Sequence, residues 1–303
     1  MSPRAATPAW RIHAALTGAQ VGFALFPIFG KLALGSIPPF VFAAFRVVGA
    51  VAILDAVRLS STREPIRPAD RKRVLLYGLL GVSFNQILFI LGLSLTTAIN
   101  TSILTATIPV FTLAAAVALR REGMNARAAA GIALAGAGAL ALLNAQHFDM
   151  SSGSFRGVLL LLLNCTSYSL YLVLSRPILA HYHVATFTAA VFRYGAILIV
   201  LAALPELARF APSGVPPLAW LCLGAVIVFC TAIPYLLNSW ALARTHASHV
   251  AFYVFLQPVI TTALAILILG EALTRRTAIA AALIFGGLAI TVIRGRLIAR
   301  PLP

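Results

Sequence analysis

"PVFTLAAAVALRRE", residues 109–122, starts with proline, continues through apolar residues and ends on two arginines and a glutamate. The outline returns as "PVITTALAILILGE", residues 258–271, with every matched position 149 residues downstream. One match of this kind carries little. Two others run with it. "AAFRVVGAVAIL" (43–54) resembles "AVFRYGAILIV" (190–200) and superposes Arg46 on Arg193. "GIALAGAGALAL" (131–142) falls on the segment around residues 280–292, with Gly138 on Gly287. The chain therefore reads as two related units, residues 1–148 and 149–303.

Composition says what each unit is made of. The chain is 61% hydrophobic and 10% charged, with a mean hydropathy of +0.97. Soluble domains hold about 45–50% and about 25%, so this chain is expected in a bilayer. From Val74 to Leu119 no residue is charged. About 20 apolar residues cross a hydrocarbon core, so that run holds two spans. The polar stretch "SLTTAINTS" (94–102) supplies the turn between them, because lipid offers its backbone no partners. The same reading along the chain predicts an all-α membrane protein of ten transmembrane helices. They fall at roughly 14–35, 39–58, 73–95, 98–120, 126–145, 156–175, 184–204, 217–243, 246–270 and 276–293. Arg4 and Arg11 precede an apolar run that continues to Lys31 without a small-residue cleavage site, so this run is read as the first helix, not a secretory signal. An odd number of helices per unit inverts the second unit, giving a pseudo-two-fold axis in the membrane plane.

The net charge of +16 could indicate nucleic acid, but its placement does not. With the amino terminus inside, inner segments hold Arg4, Arg11, Arg58, Arg63, Arg67, Arg71, Lys72, Arg73, Arg120, Arg121, Arg127, Arg176, Arg244, Arg294, Arg296 and Arg300. The outer segments hold only Lys31, Arg156, Arg209, Arg275 and Arg276. This positive-inside bias predicts a multi-pass plasma-membrane protein with both termini cytoplasmic. Cys165, Cys222 and Cys230 fall inside helices, an odd count that reads as reduced structural thiols.

The two five-helix units, the "FR" early in helices 2 and 7, and the proline-to-glutamate pattern of helices 4 and 9 resemble the drug/metabolite transporter superfamily, in its EamA-type members. The resemblance covers nearly the whole chain. It implies a ten-helix transporter whose central cavity is built mainly by helices 1, 3, 4, 6, 8 and 9, often exporting amino acids or other small metabolites.

The residues themselves point to candidate lining positions. His249, Tyr253, Gln257 and Ile260 share one face of helix 9, as do Asn164, Tyr168 and Tyr171 in helix 6 and Thr231, Tyr235, Asn238 and Ser239 in helix 8. Such faces either line a polar cavity or hydrogen-bond neighbouring helices. The first unit is sparser, with Gln20 in helix 1, Asn85 and Gln86 in helix 3, and Asn100 and Thr107 in helix 4. Pro109 and Pro258 remove a helix donor near mid-membrane and mark a kink or a hinge. Arg46 and Arg193 lie well inside apolar segments, where they either snorkel to the interface as anchors or meet an anionic substrate group. Asp55 is expected to pair with Arg58, and Glu122 and Glu271 to favour the starts of the helices that follow them. Small residues at four-residue spacing, Gly131 and Ala135 among them, suit close helix packing or a homodimer seam.

Enzyme signatures are missing from the sequence: it holds no GxSxG, HExxH or P-loop, and no pair of intramembrane carboxylates. The HxH of His181 and His183 has no nearby cysteine or carboxylate to complete a metal site. No cofactor or metal is expected. The expected activity is export of amino acids or similar amphipathic solutes by alternating access, with cation or multidrug efflux on the same fold as the alternative and a non-transporting scaffold or receptor behind both. Cations usually need a membrane acid, and the candidate lining positions include none.

Overall fold

The chain folds into a bundle of helices with an apolar outer surface. The computed structural model describes residues 8–62, 64–121, 126–142, 153–179, 181–245 and 247–292. Among these every regular element is helical: α1 (Ala9–Leu34), α2 (Pro39–Ser61), α3 (Pro68–Leu95), α4 (Ala98–Ala118), α5 (Ala126–Leu142), α6 (Gly153–Leu179), α7 (Val184–Leu207), α8 (Pro217–Leu242), α9 (His249–Leu269) and α10 (Arg275–Val292). Eight of them, all but α5 and α10, are long and apolar enough to cross a membrane. Leu221 and Leu267 point outward and exposed while Phe42, Phe187 and Phe192 are fully buried. Helices that are apolar all round belong in a membrane.

Proline chemistry explains where the helices break. Pro109 lacks an N–H and crowds the carbonyl of Thr105. α4 accordingly turns at Ala106 and Thr107 and restarts at Ile108. The carbonyl of Leu104, at that break, accepts from the Thr107 hydroxyl at 2.6 Å. Pro258 crowds Val254 in the same way, and α9 tightens to a 3-10 turn over Tyr253–Phe255. α3 and α8 carry π-turns at Leu79–Phe84 and Val228–Ala232, whose first residues are again 149 apart. The α3–α4 hairpin closes through Thr96 and Thr97, and the Thr97 hydroxyl accepts from the backbone N–H of Asn100 at 3.1 Å.

Polar contacts gather at the two ends of the bundle. At one end, Tyr182 meets Asp70, Arg176 donates to the Thr245 carbonyl, and Arg121 to that of Val173. At the other, Glu206 accepts from the N–H groups of Phe40 and Val41 at the start of α2. Glu271 accepts from Ala98 and Ile99 at 2.7 and 2.9 Å at the start of α4. This corrects the expectation for Glu271: it caps α4, not the helix that follows it. Gly270 makes this possible, because its left-handed φ of 64° ends α9 and turns the chain toward α4. Glu122, Arg4, Arg63 and the carboxy-terminal arginines lie outside the described residues.

Asp55 is corrected as well. It pairs with Arg193 of α7, at 2.7 Å to Nη2 and 3.0 Å to Nε. α2 and α7 pack side by side, which brings this carboxylate to the arginine of the neighbouring helix. The small-residue stripe is used inside the chain: a Cβ on Gly138 of α5 would lie 2.8 Å from the Ala280 carbonyl, and one on Gly287 of α10 would lie 2.5 Å from the Gly131 carbonyl.

Candidate functional site

A cavity of about 60 Å³ lies among seven helices. α1 contributes Phe23 and Phe26, α2 Arg46, α3 Asn85 and Phe89, and α4 Thr105 and Ile108. The lining is completed by Asn164 and Tyr168 of α6, Tyr235 of α8 and Gln257 of α9. Six of the residues singled out in the sequence thus meet: Arg46, Asn85, Asn164, Tyr168, Tyr235 and Gln257. The helices are those that the resemblance implies, with α2 added.

These side chains form a linked polar wall. The Tyr235 hydroxyl donates to Asn85 Oδ1 at 3.1 Å, and Asn164 Nδ2 donates to the Asn85 carbonyl at 2.6 Å. Gln257 Nε2 donates to Gln20 Oε1 at 2.5 Å, which ties α9 to α1 beside the cavity. Asn238 Nδ2 donates to the Tyr168 hydroxyl at 3.0 Å from just behind the lining. Facing this wall are aromatic rings, with Phe26 stacked on Phe89 at 4.8 Å and Phe23 set edge-on to Tyr235 at 5.4 Å. Sequence reasoning did not single out the three phenylalanines. The signal was present, since Phe23 lies three residues beyond Gln20 and Phe89 four beyond Asn85.

Arg46 takes neither the snorkelled position nor an ion pair. It is 2% exposed, donates from Nε to Thr231 Oγ1 at 2.8 Å, and sets its guanidinium 3.9 Å from the centre of the Phe26 ring. The Thr231 hydroxyl in turn donates to the Val226 carbonyl at 2.8 Å, inside the π-turn of α8. Local unwinding of α8 therefore fixes the group that holds Arg46. π-turns at functional positions are a recurring feature of helices.

The other candidates lie outside this lining. Tyr171 is buried against Gly81, where a Cβ would come within 2.6 Å of the ring. Gln86 is fully buried in α3 with both amide atoms lacking a hydrogen-bond partner. Asn100 joins the start of α4 to α10, accepting from the Thr277 hydroxyl at 3.2 Å. His249 and Tyr253 cluster with His13 at the start of α1. There His13 Nδ1 hydrogen-bonds the Tyr253 hydroxyl, and the His13 and His249 rings meet edge-on at 5.7 Å. His249 Nδ1 pairs with the Thr245 hydroxyl at 2.8 Å.

Known proteins resemble this chain in sequence and in fold. A solved crystal structure superposes with a TM-score of 0.68 over 97% of this chain and 100% of its own, at 22% identity, which shows a common fold. An uncharacterized transporter of Archaeoglobus fulgidus is 29% identical over 271 residues, covering 87% of this chain and 91% of the relative. The EamA-like transporter family matches twice, over residues 10–144 and 155–293. The chain is a multi-pass membrane protein that belongs to the EamA-like transporter family.

Proposed function

We propose that the chain exports amino acids or similar small amphipathic metabolites by alternating access through the central cavity. The observation that carries this reading is the lining itself, which sets neutral amides and phenols against aromatic rings. No carboxylate stands among the lining residues to hold a cation. That weighs against cation efflux, which calls for a membrane acid.

At about 60 Å³ the cavity is narrow, and in the alternating-access reading helices part to admit a solute. The breaks of α4 and α9 and the π-turns of α3 and α8 are places where backbone can bend. They recur at the 149-residue spacing, which supports reading residues 1–148 and 149–303 as inverted five-helix repeats. In that reading α5 and α10 complete ten spans, and the arginine-rich end carrying both termini faces the cytoplasm.

The test is efflux from proteoliposomes preloaded with a labelled amino-acid panel. Efflux above empty liposomes, lowered by Tyr235→Ala, is the expected result. Carriage of a cationic dye and of no amino acid would remove the substrate assignment. Reporter fusions at Pro303 check the orientation, since an active periplasmic phosphatase there contradicts cytoplasmic termini.

A further inference from the structure

Arg46 and Arg193 superpose in the sequence repeat, yet the structure treats them differently. Arg193 is half-exposed and carries its counter-ion with it in Asp55. Arg46 is buried, lines the central cavity, and has a hydroxyl and a phenyl ring as its contacts. Its Nη1 is buried and has no hydrogen-bond partner. Desolvating a guanidinium is costly unless an anion and hydrogen-bond acceptors compensate. Among the cavity-lining residues no carboxylate does so.

We propose that Arg46 is the anion-recognition residue of the cavity and that the transported solute presents a single carboxylate to its guanidinium. This rests on the transport reading above and names the chemical class that the site takes. A guanidinium is planar and offers parallel N–H groups that match a carboxylate. The Nε edge is already held by Thr231, which fixes the orientation of the plane and leaves Nη1 for the incoming anion. The rings of Phe23, Phe26 and Phe89 receive the apolar part of the solute. A cation beside this site finds no charge to pair with. Asn85, the amide that α3 contributes to the lining, is neutral, and its Oδ1 accepts from Tyr235. The carboxylate, not an ammonium, is therefore the group that the protein reads, and the class is amphipathic monocarboxylates, amino acids included.

The experiment separates charge recognition from transport. Purified full-length protein is reconstituted and loaded with L-phenylalanine, 3-phenylpropionate or 2-phenylethylamine, three probes that share a ring and differ in charge. The two carboxylates are expected to leave the liposomes and the amine is not. Arg46→Gln is expected to raise KM for the carboxylates about tenfold or more, as follows when a charge-assisted hydrogen bond goes unmade. Thr231→Val, which keeps the charge and frees its Nε edge, is expected to give a smaller rise. In parallel, thermal unfolding in detergent is followed with and without 3-phenylpropionate: wild type should be stabilised and Arg46→Gln should not.

Equal carriage of the amine by wild type, or an unchanged carboxylate KM in Arg46→Gln, overturns the anion role while leaving a transporter. Stabilisation by 3-phenylpropionate that depends on Arg46, without efflux of any probe, keeps the anion site and removes the transport reading. The selectivity of wild type alone decides the proposal if the Arg46 variant does not fold.

Discussion

Gln257 of α9 and Gln20 of α1 meet side chain to side chain at 2.5 Å, both buried, at the edge of the central cavity. Hydrogen bonds between membrane helices average about 0.6 kcal/mol and reach about 1.7 kcal/mol, so this pair contributes little to stability. Its effect on transport should be larger, because Gln257 also lines the cavity. Gln257→Ala is expected to lower efflux several-fold while shifting the unfolding midpoint only slightly. A large loss of stability with unchanged efflux per folded molecule would make the pair a structural tie only.

The Asp55–Arg193 pair leads to the opposite expectation. The pair ties α2 to α7, and neither residue lines the central cavity. Asp55→Asn should therefore leave carboxylate efflux and its KM near wild type. A KM change as large as that of Arg46→Gln would place Asp55 in the transport machinery instead.

How far these roles can be read from sequence depends on what decides them. The eight apolar spans were legible because hydropathy and length act locally, and α3 and α4 divide at Leu95 and Ala98, as expected. Of the lining amides, Asn164 and Gln257 were singled out by helical spacing and Asn85 by its polarity in an apolar helix. The separate fates of Arg46 and Arg193 were not, because their neighbours Thr231 and Asp55 come from helices far away in the chain. Asp55 was assigned to Arg58 for the same reason: the local partner was visible, and the packing of α2 on α7 was not. Gln86 and Asn100 carry the same residue types as the lining positions. The periodicity of α3 and α4 did not separate the positions that line the cavity from a buried Gln86 or from Asn100, which meets Thr277 of α10.

Tyr182 provides a pH dependence outside the membrane. Its hydroxyl donates to Asp70 Oδ2 at 2.6 Å and accepts from the Arg67 N–H at 3.2 Å. Burial first, and the bond to Asp70 second, push the phenol above its ordinary value of 10.0. A group whose folded value is raised contributes stability that is fully present below the unfolded value and lost as pH rises through the folded one. Stability should therefore hold up to about pH 10 and fall above it. Tyr182→Phe should flatten that alkaline fall in thermal unfolding measured against pH. An identical slope in the variant would show that another group is responsible.

Gly138 and Gly287, paired by the 149-residue repeat, face backbone across the α5–α10 contact in reciprocal fashion. Gly138 lies against Ala280, and Gly287 against Gly131, the repeat partner of position 280. An added methyl would meet a carbonyl oxygen in both cases, at 2.8 and 2.5 Å, and backbone cannot swing aside as a side chain can. Overpacking of this kind costs about 1–3 kcal/mol. Gly136, two residues from Gly138, has nothing within 4 Å of an added Cβ. Gly136→Ala should thus be neutral or gain about 0.5–1 kcal/mol from helix propensity. Gly138→Ala and Gly287→Ala should each lower the unfolding midpoint in detergent, and by similar amounts if a two-fold axis relates the two units. A cost confined to one of them would argue against symmetric packing of α5 on α10, and equal effects at all three glycines would mean that propensity alone, not close approach, sets their identity.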